Sequence, residues 1–132
     1  MKQILLVDDD ATLLEALLRQ FHPHRDTWQV ATASNGVEAL RLAREQRFDV
    51  LVTDILMPEK DGTETIIAFR RDHPSVKIIA MSGGGRIIGT EPLGVVSLLG
   101  AHATLVKPFD FQMLWDTIQA VLEPEPDATV RS

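Results

Sequence analysis

"ILLVDDDATLL", Ile4 to Leu14, runs four apolar residues straight into three aspartates. The apolar half reads as a strand covered on both faces. The acidic half sits where such a strand would leave the core. Adjacent carboxylates repel one another, so this strand end calls for a cation or for water.

The rest of the chain repeats the first half of that pattern. Ile4–Val7, Val50–Thr53 and Val76–Met81 are near-continuous apolar runs, as expected of strands buried in a parallel sheet. Trp28, Val30 and Thr32 alternate with Gln29 and Ala31, which suits an edge strand, and Thr104–Val106 reads as the other edge. Between them lie segments of helical period. Leu13, Leu14, Leu17, Leu18 and Phe21 form one stripe. Asn35 and Glu38 open a second helix in a capping-box pattern. Ile66, Ile67 and Phe69 mark a third, closed before Pro74, and Pro92 to Leu99 a fourth behind a glycine-rich loop. Phe111, Leu114, Ile118, Val121 and Leu122 mark the last. Five strands alternating with five helices imply right-handed crossovers and a doubly wound α/β sheet, parallel throughout. The chain reads as one domain over residues 1–123, with a Pro- and charge-rich, disordered tail at 124–132.

Composition narrows the function. At 132 residues the chain has room for one proper core. A net charge of −6 argues against a nucleic-acid or anionic-membrane surface. The absence of cysteine excludes disulfides and thiolate metal sites. No apolar run approaches the roughly 18 residues of a membrane span, and "MKQILLVDDD" lacks a signal-peptide pattern, so a cytoplasmic protein is expected.

Four of the apolar strands end in a polar residue that a buried strand should not carry: Asp8–Asp9, Asp54, Ser82 and Lys107. In an open α/β sheet the carboxyl ends of the strands share one edge, and ligands bind there. Clustered carboxylates without His or Cys are hard oxygen donors, suited to Mg²⁺, Mn²⁺ or Ca²⁺. A carboxylate can also attack phosphorus, and the transferred group needs cations and hydrogen-bond donors around its oxygens. Asp10, just before the first stripe, reads as a helix N-cap rather than a ligand. His22, His24, His73 and His102 show no metal-ligand spacing and are assigned to the surface or to helix ends.

At "LLVDDD", "DVLVTDILMPEKDG", "IIAMSGG" and "LVKPF", in that order, the sequence resembles the response-regulator receiver domains of two-component signalling, single-domain chemotaxis regulators among them. The resemblance implies a flavodoxin-like sheet of strand order 2-1-3-4-5. It implies that Asp54 accepts a phosphoryl group from a sensor histidine kinase or phosphotransfer protein. Asp9 and Asp54 would bind Mg²⁺ directly, with the Leu56 carbonyl, and Asp8 through a water. Lys107 and Ser82 would hold phosphoryl oxygens, and Lys107–Pro108 would be cis. Such a domain is not an enzyme beyond its own phosphorylation and dephosphorylation. It signals to a downstream protein target as a monomer or weak dimer.

The sequence departs from the family pattern at three places. Thr104 stands where the family carries its switch aromatic. Leu56 and Gly84, two beyond Asp54 and Ser82, offer nothing to orient an attacking water, so a long-lived phosphoryl group is expected. The loop after Ser82 is longer and richer in glycine than usual. Other readings are a degenerate receiver that binds partners without phosphorylation, a Mg²⁺-dependent aspartyl-phosphate phosphohydrolase, and a receiver excised from a multidomain protein.

Overall fold

The computed structural model describes residues 1–55, 62–83 and 100–123. In chain order these form β1 (Lys2–Val7), α1 (Ala11–Phe21), a 3-10 turn (His22–His24), β2 (Trp28–Ala33), α2 (Gly36–Glu45), β3 (Val50–Asp54), α3 (Gly62–Asp72), β4 (Lys77–Gly83), β5 (Ala103–Lys107) and α4 (Phe111–Leu122). All strand pairs are parallel, and the order across the sheet is β2-β1-β3-β4-β5. The expected doubly wound sheet is therefore present, with β2 and β5 as its edges. The helix expected at Pro92–Leu99 and the tail at 124–132 lie outside the described residues.

The apolar runs are continuous because side chains alternate across the pleat and both faces are covered. On one face Leu5, Val7, Leu51, Ile78 and Ala80 pack with Ala39, Ile66 and Phe69 of α2 and α3. On the other Ile4, Leu6, Val52, Ile79, Met81 and Leu105 pack with Leu14, Leu17 and Phe21 of α1 and with Leu114 and Ile118 of α4. The third helix expected around Ile66, Ile67 and Phe69 is α3, closed before Pro74. Ile66 and Phe69 are buried, but Ile67 is 43% exposed, and Thr65 and Ala68 complete the inner face instead. At about 100° per residue, Thr65, Ile66, Ala68 and Phe69 fall within one arc of the helix, and Ile67 lies opposite the centre of that arc.

The helix starts follow local chemistry. The Asp10 carboxylate accepts from Thr12 N (3.0 Å) and Leu13 N (3.2 Å), so Asp10 is the N-cap of α1. Asn35 caps α2 by accepting from Glu38 N (2.8 Å), while Glu38 reaches back to Ser34 N (2.9 Å). Each cap fixes where its helix leaves the strand before it, and so fixes the rim of the sheet's carboxyl edge. Among the described residues no helix is long and apolar enough to cross a membrane.

Candidate phosphoacceptor and metal site

Parallel pairing brings the strand ends to one edge. Asp54 is the last residue of β3 and Lys107 the last of β5, with Ser82 one residue before the end of β4. Asp8 and Asp9 follow β1 directly, and Asp8 N donates to Ala33 O of β2 (3.1 Å), so the backbone still holds the first aspartate. Thr53, fully buried, donates its hydroxyl to Asp54 O (3.0 Å). Asp8, Asp54 and Ser82 are all buried and polar, whereas Asp9 is exposed.

Carboxylate oxygens of Asp8, Asp9 and Asp54 lie within 4.8 Å of one another. The Lys107 ammonium spans two of the three, with Nζ 2.7 Å from Asp8 Oδ2 and 3.3 Å from Asp54 Oδ2. Ser82 Oγ is 3.4 Å from Gly83 O. Four strand ends are thus brought together as the sequence leads one to expect. Leu56, the sixth residue of the expected site, and the Gly84 position lie outside the described residues.

One contributor escaped the sequence reading. The Asp10 backbone N–H donates to Asp8 Oδ1 (2.9 Å) and so orients that carboxylate. An aspartate bonding the amide two residues on is an Asx-turn, and its only trace in sequence is the repeated aspartate itself.

The electrostatics are those of a site short of positive charge. Burial pushes the Asp8 carboxyl above its ordinary value; the Lys107 and Asp10 hydrogen bonds offset this only in part, and the Asp54 charge adds to the rise. Burial alone would lower the Lys107 ammonium, but the Asp8 hydrogen bond and the attraction of Asp8 and Asp54 hold it above the ordinary lysine value. Among the described residues, three carboxylates gather here and one ammonium, Lys107, reaches two of them. Their oxygen-only donor set, free of sulfur and imidazole, fits a hard divalent cation such as Mg²⁺.

This fold with this edge defines a receiver-type signalling domain. A family model for the response regulator receiver domain matches residues 4–119, and the chain belongs to that family. The transcriptional regulatory protein ZraR of Klebsiella oxytoca is 38% identical over 122 residues, which cover 90% of this chain and 26% of that relative. The chain therefore spans about a quarter of the length of that curated relative. The chemotaxis response regulator CheY4 of Vibrio cholerae superposes with a TM-score of 0.79 at 31% identity, over 92% of this chain and 99% of that one. The response regulator TrrA of Thermotoga maritima, solved in complex with Mg²⁺-BeF, superposes with a TM-score of 0.77 at 29% identity, over 92% and 100%. Lys107–Pro108 is cis, as the resemblance implies.

Proposed function

We propose that the chain accepts a phosphoryl group on Asp54 from a sensor histidine kinase or a histidine phosphotransfer protein. The observation that carries this reading is the grouping of the three carboxylates within 4.8 Å, with Lys107 bridging Asp8 and Asp54. Asp8, Asp9 and Asp54 would hold Mg²⁺, with the Leu56 carbonyl as the resemblance implies, and the ion would supply positive charge to the oxygens of the transferred group. The Asp54 carboxylate attacks phosphorus as the donor imidazole leaves. Lys107 then pairs its ammonium with one phosphoryl oxygen, and the Ser82 hydroxyl donates to another.

In this reading the domain is no enzyme toward small molecules; it catalyses only its own phosphorylation and dephosphorylation. It works in the cytoplasm, residues 1–123 form the functional unit, and the downstream partner is a protein. The resident charge of −6 suits protein contacts better than nucleic acid.

Intact-mass spectrometry after incubation with acetyl phosphate and Mg²⁺ tests the proposal. The expected result is one phosphoryl adduct that requires Mg²⁺ and is absent from Asp54→Ala. An adduct of equal size in Asp54→Ala would overturn the assignment. Absence of any adduct with small donors and with phosphorylated histidine donors alike would favour a receiver that binds without phosphorylation.

A further inference from the structure

At the amino end of β5, the edge strand that ends in Lys107, one residue holds its neighbour twice. His102 N donates to Ile78 O of β4 (2.7 Å), and the His102 imidazole accepts the Ile78 N–H at Nδ1 (3.0 Å). β5 begins only at Ala103, so no strand residue lies upstream to take that amide, and the side chain stands in for a carbonyl. A carbonyl keeps its lone pairs at every physiological pH. An imidazole does not, because in the protonated ring both nitrogens are donors.

We propose that His102 is a pH-sensitive clip that fastens the start of β5 to β4 while the ring is neutral and releases it on protonation. In the clipped state Nδ1 carries no proton, and Nε2 carries the ring hydrogen. A proton added at Nδ1 sets two donors against each other across 3.0 Å, so the ring must turn away and Ile78 N–H passes to solvent. His102 is exposed at the protein surface. The native state therefore resists a proton that the unfolded chain takes up near ~6.5. The sign follows: the clip's contribution is present above that value and is lost as pH falls below it.

Several charged groups on the described elements around this corner are already engaged. On α3, Arg70 lies over Gly100, whose φ of 126° and lack of a Cβ admit the arginine chain, and its guanidinium donates to Pro74 O (3.2 Å). Lys77 precedes Ile78 on β4. Asp72 is paired with Arg71 (2.8 Å), the His73 ring packs against Phe69, and Asp49 accepts Gln3 N (2.8 Å). β5 has one strand neighbour, so no second ladder replaces the lost bond. The inference does not depend on the phosphoryl chemistry proposed above.

His102→Asn provides the test, because the Asn carbonyl can take the place of Nδ1 and does not titrate. The two full-length proteins are compared at about pH 7.5 and about pH 5.5, on either side of the ordinary histidine value. Between these, wild-type Tm should fall by about 3 °C more than that of the variant. The protection factor of the Ile78 amide in hydrogen exchange should fall about fivefold in wild type and hold in the variant. Equal pH profiles for the two proteins would overturn the proposal. Nitrogen NMR of the wild-type ring decides it independently of how the variant folds. Hydrogen on Nε2 at the higher pH supports the clip, and hydrogen on Nδ1 refutes it.

Discussion

The two ends of the sheet treat their polar groups in opposite ways. At the amino end, Asp49 and His102 meet backbone partners. Asp49 accepts Gln3 N at 2.8 Å while its own N–H and carbonyl bond Gln3 O and Lys77 N, and His102 closes on Ile78. At the carboxyl end, carboxylate oxygens of Asp8, Asp9 and Asp54 crowd within 4.8 Å, with the Lys107 ammonium on Asp8 and Asp54. Both ends are reached by the same strands with the same pairing, so the fold does not force the difference. A carboxylate that accepts a backbone N–H stabilises the chain that places it. A carboxylate buried beside two others costs stability until a cation arrives. The first end is built for the folded state, and the second for what binds there.

Three substitutions probe that contrast, and the largest effect is expected at Lys107. Lys107→Ala removes the ammonium that reaches both Asp8 and Asp54. Phosphoryl uptake by Asp54 should slow about a hundredfold, the scale of losing one donor to developing charge. Rapid-quench labelling reads this, and an unchanged rate would detach Lys107 from the chemistry.

Asp8→Asn comes next, and its expected sign runs against intuition for a buried polar residue. The folded Asp8 carboxyl titrates above its ordinary value of 3.8 because burial outweighs its bonds. A raised carboxyl contributes stability that is present below 3.8 and lost as pH rises through the folded value. At neutral pH the charge is a burden in the metal-free protein. Asp8→Asn should therefore raise the metal-free Tm by about 3 °C, flatten its acid-side pH dependence and weaken stabilisation by Mg²⁺. Thermal melts with and without Mg²⁺ check all three, and a lower metal-free Tm would mean that the Lys107 bond outweighs burial.

Asp49→Ala at the opposite end should do the reverse. Loss of its bond to Gln3 N costs about 1 kcal/mol, with phosphoryl uptake unaltered. Urea melts paired with the labelling assay distinguish the two; a stabilised Asp49→Ala would erase the contrast between the ends.

Much of this was legible in the sequence, for a physical reason. Strands buried on both faces tolerate no polar residue, so Asp8, Asp54, Ser82 and Lys107 stand out against Ile4–Val7, Val50–Thr53 and the apolar run of β4. The parallel topology then brings those strand ends together without further information. Strand limits were less legible. β1 starts at Lys2 rather than Ile4, and β4 runs on to Gly83, because ladder hydrogen bonds reach past the apolar run into exposed residues. The histidines lie at the surface or at helix ends as expected, but two of their contacts were not legible. His24 stacks on Trp115 with ring centroids 4.2 Å apart, and His102 replaces a carbonyl in a ladder. Neither role follows from spacing along the chain, since each partner lies on a distant element. Ile67 helps to mark α3 in sequence, yet helical geometry turns it outward.

The central claim is that Asp54, and no other carboxylate of the cluster, carries the phosphoryl group. Reduction of the phosphorylated protein with borohydride, which converts an acyl phosphate to an alcohol, followed by peptide mass mapping tests it most directly. Homoserine at position 54 alone, formed only when Mg²⁺ was present, is the result this account expects. Homoserine at position 8 or 9, or an unreduced phosphoryl group on another side chain, would contradict it.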